Sequence, residues 1–202
     1  MTALLFSAVV FVIDALLVQD RHAGWIDQPV LDEAVHHRGG GLNTVMTLVT
    51  NAAEIPLILL SVLTAAALAL RVRTWRPLCL VAVTGALSVA AATVVKNLTL
   101  RSRPPVVYWV VQESDYSFPS RHTTMTAALL PVLAYLLARH ITSTATRIGV
   151  WAAAVLCTLL VATSRVYLGV HWATDVAGGL TLGTCVALAV IIADGVLRRR
   201  SA

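Results

Sequence analysis

Residues 171–195 read HWATDVAGGLTLGTCVALAVIIADG. A histidine and an aspartate four residues apart open the stretch, and after Asp175 no charge occurs until Asp194. A helix crossing the hydrocarbon of a bilayer needs roughly 20 apolar residues, so 174–195 reads as a membrane span with a polar start at the membrane edge. Five further apolar runs lie at 3–19, 45–70, 77–95, 122–138 and 148–163. The chain has 202 residues, 58% hydrophobic and 12% charged, with a mean hydropathy of +0.81. One soluble core of this size cannot hide that much apolar surface. The expectation is an all-α fold, a six-transmembrane-helix bundle forming one integral-membrane domain over residues 1–202.

The run 3–19 carries Asp14, has no basic segment before it and no small-residue cleavage site after it, so it reads as a retained helix. Residues 20–44 (DRHAGWIDQPVLDEAVHHRGGGLNT) space Trp25, Ile26, Val30, Leu31 and Val35 among charges. That pattern predicts a short interfacial amphipathic helix between helices 1 and 2, ended by Gly39, Gly40 and Gly41. His36 and His37 have no third ligand nearby and read as solvated loop residues. Cys79, Cys157 and Cys185 lack disulfide or zinc spacing and read as small buried residues. Asp14 and Glu54 lie in or near apolar runs, where polar pairing inside the bundle accounts for them as well as function does.

The net charge of +5 does not point to nucleic acid, because the cations sit in short loops between apolar runs. Arg71, Arg73 and Arg76, then Arg139 and Arg147, then Arg198, Arg199 and Arg200 mark three cytoplasmic segments and put both termini inside. The opposite face holds 20–44, 96–121 and 164–173, with nearly as many cations. The orientation therefore stands only if a site holds most of those outer cations.

Three motifs fall on that face. In KNLTLRSRP, Lys96 and Arg103 are seven residues apart and share one face of a helical segment, with Arg101 between them and Pro104 and Pro105 behind. In FPSRH, Ser120 stands where an N-cap belongs, and the first N–H groups of the next helix, near Arg121 and His122, suit a phosphate oxygen. In SRVYLGVHWATD, His171 and Asp175 stack one turn apart. The carboxylate can hold one imidazole nitrogen and leave the other as a nucleophile, while Arg165 offers a planar fork to phosphate oxygens. No cluster with metal-ligand spacing accompanies them, so no metal and no cofactor are expected.

In this order, K-x6-RP, PS-x-H and SR-x5-H-x3-D resemble the signature of the type 2 phosphatidic acid phosphatase superfamily. The resemblance implies a metal-independent membrane phosphatase that works through a phosphohistidine. It assigns His171 as nucleophile, Asp175 as its orienting partner and His122 as the acid at the leaving oxygen. It assigns Lys96, Arg103, Ser120 and Arg165 to the phosphate. Arg121 departs from the commoner glycine of the middle motif, and a cation there suits a second phosphate. The expected partners are a lipid phosphate substrate and membrane lipids, with the site on the extracytoplasmic side of the cell membrane. No oligomeric state follows from these residues.

The substrate expected first is a polyprenyl (undecaprenyl) diphosphate. The alternative is phosphatidylglycerol phosphate or phosphatidic acid. A non-catalytic lipid-binding or transport protein would explain the helices but not the motifs. A vanadium haloperoxidase would share the anion pocket, but not this hydrophobicity.

Overall fold

The computed structural model describes residues 1–19 and 23–200; residues 20–22 of the 20–44 segment lie outside the described residues. Among these the chain is all-helical, with eight α-helices. They are α1 (Thr2–Gln19), α2 (Gly24–His36), α3 (Gly40–Ala52), α4 (Ile55–Val72), α5 (Arg76–Thr99), α6 (Arg121–Ala138), α7 (Thr144–Tyr167) and α8 (Ala173–Arg200).

The helices are apolar outside and carry many polar side chains inside beside an apolar core, unlike a water-soluble bundle. On α5, Thr84, Ser88 and Lys96 are buried while Val83, Leu87, Val94 and Leu98 are exposed. On α1 the inward residues are Ser7, Asp14 and Val18, and Phe6, Val9, Val12 and Ile13 face out. Only lipid makes that arrangement favourable, because a buried hydroxyl must then find a partner inside the protein. Ser61, Thr84 and Ser88 do so by donating to the carbonyl one turn back, each at 2.7 Å. Ser7 instead crosses to Thr181 O on α8 at 2.9 Å.

Five helices, α1, α4, α5, α7 and α8, are long and apolar enough to cross a membrane. α6, expected as the fourth span, is not among them. Its first two turns carry Arg121, His122, Thr123, Thr124 and Thr126, and most of its side chains are buried among α5, α7 and α8. A helix enclosed by protein needs less apolar surface than one bathed in lipid.

Two boundaries differ from the sequence expectation. The run 45–70 is two helices, because the chain turns at Ala53 and Glu54 and Pro56 opens α4. Proline fits a first turn, where its missing N–H would have no partner anyway. The three glycines do not end the preceding helix. α2 stops at His36, Gly39 caps α3 in an extended conformation, and Gly40 and Gly41 are its first residues. The cysteines are also not buried: Cys79 and Cys157 face outward and Cys185 is half-buried.

The apolar core forms where α4, α5, α6 and α8 meet, around Leu57, Leu68, Val81, Leu129, Val132, Leu136 and Val190. Near the site, α6 and α8 touch almost backbone to backbone. A Cβ on Gly179 would stand 2.9 Å from Ser120 O, and one on Gly183 would overlap Thr124 O and Ala127. Small residues permit such approach where lipid removes the usual hydrophobic drive between helices. Gly183→Ile is therefore expected to lower stability by about 1–3 kcal/mol through overpacking. A thermal melt in detergent checks this against Gly149→Ala, whose added methyl meets open space; equal melting of the two variants would refute it.

Candidate active site

The end of α5 and the loop 100–120 bring the first motif inward. Residues 84, 88, 92 and 96 form the buried stripe of α5, so Lys96 enters the bundle on the same face as the hydroxyls. Its Nζ donates to Tyr116 O and lies 3.4 Å from Asp115 Oδ2. Leu100 then takes a left-handed conformation (φ 48°) that ends the helix, and the loop returns over the bundle. Arg103 reaches back with Nε to Asp115 O at 2.8 Å and Nη1 to Val170 O at 2.6 Å. The same Nη1 lies 3.0 Å from His171 Nε2, and Nη2 pairs with Asp115 and Glu113.

Tight turns set the third motif. Arg165 sits in the last turn of α7 and is buried. It donates to Thr50 Oγ1 at 2.5 Å and pairs with Glu113, and its Nε has no partner among the described residues. Gly169 (φ +73°) lies where any side chain would collide with Tyr108 O, so the turn from α7 into His171 requires glycine. Arg38 clamps this corner by donating to both Tyr167 O and Tyr108 O.

His171 is buried, with Nδ1 3.3 Å from Asp175 Oδ2. Asp175 also accepts from Trp172 N at 2.8 Å, from Ser117 Oγ and from Arg101 Nη1 at 2.5 Å. A carboxylate at Nδ1 and a guanidinium donor at Nε2 fix one tautomer, protonated at Nδ1 with the Nε2 lone pair facing Arg103. Burial, then the charges of Arg103, Arg165 and Lys96, hold the His171 imidazole well below its ordinary value, so it is neutral.

Ser120 stands at the N-cap of α6, as its sequence position indicated, but its side chain makes no capping bond. Its hydroxyl accepts from Thr123 Oγ1 at 3.0 Å, and its N–H donates to Asp175 O at 2.9 Å. That backbone bond fastens the second motif to the third. His122 is buried, and its Nε2 lies 2.8 Å from Glu54 Oε1. Arg121 is half-exposed at the rim, 3.6 Å from Asp115 Oδ2.

Lys96, Arg103, Arg165, His171 and Asp175 thus come together in one hydrogen-bonded network, with Ser120 joined to it through Asp175 O, His122 paired separately with Glu54, and Arg121 at its edge. The network contains residues to which the sequence reading gave no role. Arg101 bridges Asp175 and Asp27 at 2.5 Å each, and Thr174 binds Asp27 as well. Glu113 and Asp115 neutralise the three inner cations. Burial raises the Asp115 carboxyl, but Lys96 and Arg103 outweigh it and hold it below the usual carboxylate range. Its pairs therefore persist above pH 3.8 and are lost only as pH falls further. Among the described residues no three His, Cys, Asp or Glu side chains gather as a metal site.

Comparison with known proteins bears on this geometry. The family profile of the PAP2 superfamily matches residues 57–198. Phosphatidylglycerophosphatase B of Bacillus subtilis (strain 168) is 35% identical over 175 residues, covering 86% of this chain and 85% of that protein. The crystal structure of a transmembrane PAP2 type phosphatidylglycerolphosphate phosphatase from Bacillus subtilis superposes with a TM-score of 0.90 at 32% identity, over 96% of this chain and 97% of that one. Aquifex aeolicus LpxE shares the fold, with a TM-score of 0.67 at 16% identity over 83% and 95% of the two chains.

Proposed function

This chain belongs to the PAP2 superfamily and is an integral-membrane lipid phosphatase, and from that premise we propose that it hydrolyses the phosphomonoester headgroup of a glycerophospholipid, phosphatidylglycerol phosphate foremost. The observation that carries the substrate is the 35% identity to a phosphatidylglycerophosphatase along most of both chains. It favours the alternative of the sequence reading over undecaprenyl diphosphate. The diphosphate had one residue in its support, Arg121, and that cation already shares Asp115 with Lys96 and Arg103.

In the proposed reaction, Lys96, Arg103, Arg165, Ser120 and the first N–H groups of α6 hold the phosphate oxygens. The unpartnered Arg165 Nε supports this, since a buried donor without an acceptor is costly and a phosphate oxygen would satisfy it. The phosphate competes with Glu113 and Asp115 for these cations. His171 Nε2 attacks phosphorus, and the bond to the lipid oxygen breaks as His122 protonates that oxygen. Water then attacks the phosphohistidine while His122 takes its proton, which releases inorganic phosphate. Phosphoryl transfer consists mostly of positioning and charge stabilisation, and the cations supply both without a metal.

The membrane arrangement belongs to the same proposal. α6 completes six spans within one domain over 1–202, and α2 lies at the interface. The site faces away from the cytoplasm, with both termini inside. Clustering of Arg76, Arg198 and Tyr135 around Asp194, at the end of the bundle remote from the motifs, supports that orientation.

Phosphate release by the purified protein from phosphatidylglycerol phosphate, phosphatidic acid and undecaprenyl diphosphate tests the substrate. A kcat/KM at least about tenfold higher on a monoester, undiminished by EDTA, is expected. Preference for the diphosphate would overturn the substrate reading, and magnesium rescue of a chelator-inactivated enzyme would overturn metal independence.

A further inference from the structure

Glu54 belongs to none of the three motifs, yet its carboxylate lies 2.8 Å from His122 Nε2. The residue stands in the turn that splits the run 45–70, at the N-cap of α4, and makes no capping bond there. Its carboxylate is thus directed at the histidine, although a helix N-terminus attracts anions. The site then contains two imidazole–carboxylate pairs. His171 and Asp175 are wholly enclosed, with side chains 1% and 0% exposed, whereas His122 is 6% and Glu54 53% exposed.

A groove of about 290 Å³ adjoins this second pair, lined by Glu54, Arg121 and His122 together with the apolar Ile58, Val89 and Met125. Ile58 and Val89 are partly exposed on the outer surface of α4 and α5, so the groove is continuous with the lipid-facing wall. A lipid whose scissile oxygen meets His122 lies with the first atoms of its leaving group in this groove. Glu54 therefore borders the leaving group, beside His122.

We propose that Glu54 is a specificity-determining residue, which positions His122 against the leaving oxygen and selects a neutral alcohol over an anionic phosphate as the leaving group. The inference rests on the lipid-phosphatase reading of this site. An alkoxide is a poor leaving group, so rupture of its P–O bond needs the proton that His122 delivers in the same step. The electron pair of that bond stays on the oxygen, which departs as a neutral hydroxyl. When the leaving group is itself a phosphate, it departs as an anion and needs that proton far less. Its negative charge would also lie beside the Glu54 carboxylate, where like charges repel. Both effects favour a monoester over a diphosphate, and both depend on one carboxylate.

The test is kcat/KM for phosphatidic acid and for a polyprenyl diphosphate, measured on the same samples of wild type, Glu54→Gln and Glu54→Asp. Glu54→Gln should raise the diphosphate-to-monoester ratio at least about tenfold, chiefly by loss on the monoester. Glu54→Asp, which keeps the charge, should retain a ratio close to wild type. A ratio of two substrates is independent of the folded fraction, so partial misfolding of a variant does not obscure the result. If Glu54→Gln leaves the ratio unmoved, whether activity is kept or lost on both, the Glu54 assignment falls. If the wild type releases phosphate from neither lipid, the phosphatase reading of the site falls first.

Discussion

Replacement of His171 by alanine is expected to abolish the phosphoenzyme and lower kcat by several powers of ten. The imidazole is buried, bonded through Nδ1 to Asp175 and approached at Nε2 by Arg103 at 3.0 Å. No other described side chain combines a nucleophilic nitrogen with that setting; in the other buried histidine, His122, Nε2 lies 2.8 Å from the exposed Glu54 carboxylate. Removal of a nucleophile ends the two-step route, leaving only what positioning and charge contribute. Acid quench of enzyme mixed with radiolabelled lipid phosphate checks both parts, and near-normal turnover in the variant would exclude His171 as the attacking group. The sign of the pH effect also follows. Burial, then Arg103, Arg165 and Lys96, lower the proton affinity of His171 well below 6.5, so phosphoenzyme formation should persist as pH falls through that value. The unfolded chain gains a proton there and the folded one does not, so stability on this account is full above 6.5 and declines below it.

Arg101→Ala is expected to be the most damaging substitution outside the catalytic groups. The guanidinium joins Asp27 on α2 to Asp175 on α8, and both carboxylates are buried. Deletion of one partner of a buried ion pair typically costs about 3–5 kcal/mol, because a charge is left without compensation. Here two carboxylates lose the same cation, and His171 loses the anchor of its orienting group. Both the melting temperature in detergent and kcat should fall steeply. Asp27→Asn in the same chain should recover part of the stability, since one of the two orphaned charges is then gone. An additive double variant would mean that Arg101 does not hold Asp27.

Arg101 shows how far the sequence could be read. Its neighbours Lys96 and Arg103 were legible as two cations seven residues apart, but the shared helical face expected for them does not form, because Leu100 ends α5 and Arg103 returns from the loop. Arg101 has no such register, and its partners lie 74 positions away in both directions. Distances of that kind follow from helix docking, which local periodicity does not encode. His171 and Asp175 were legible for the opposite reason, being one turn apart. Glu113 and Asp115 lie in a loop without repeat, and only the folded loop brings them onto the cations. The break at Ala53 and Glu54 carried one signal, Pro56, but the apolar run continued through it and hid the turn. α6 was visible as a run, but its enclosure by α5, α7 and α8 was not, since a threonine-rich first half marks neither lipid nor water.

The glycine contact between α6 and α8 has a consequence for timing and tolerance. Transfer of phosphorus from the lipid oxygen to His171, with His122 beside that oxygen, tolerates misplacement of only about half an ångström before the rate suffers. His122 is carried by α6, and His171 stands immediately before α8. Where most helix pairs meet through a layer of side chains that can change rotamer, these two meet near the site through carbonyl oxygens, glycine α-carbons and the short side chains of Thr123 and Ala127, which have few soft coordinates to relax. The separation of acid and nucleophile is thus set by close backbone contact more than by side-chain repacking, like the gap between two parts clamped to one plate. Whatever strain a bulky lipid brings must then be absorbed by the elements around that plate, and the reaction distance stays the same from one tail to the next.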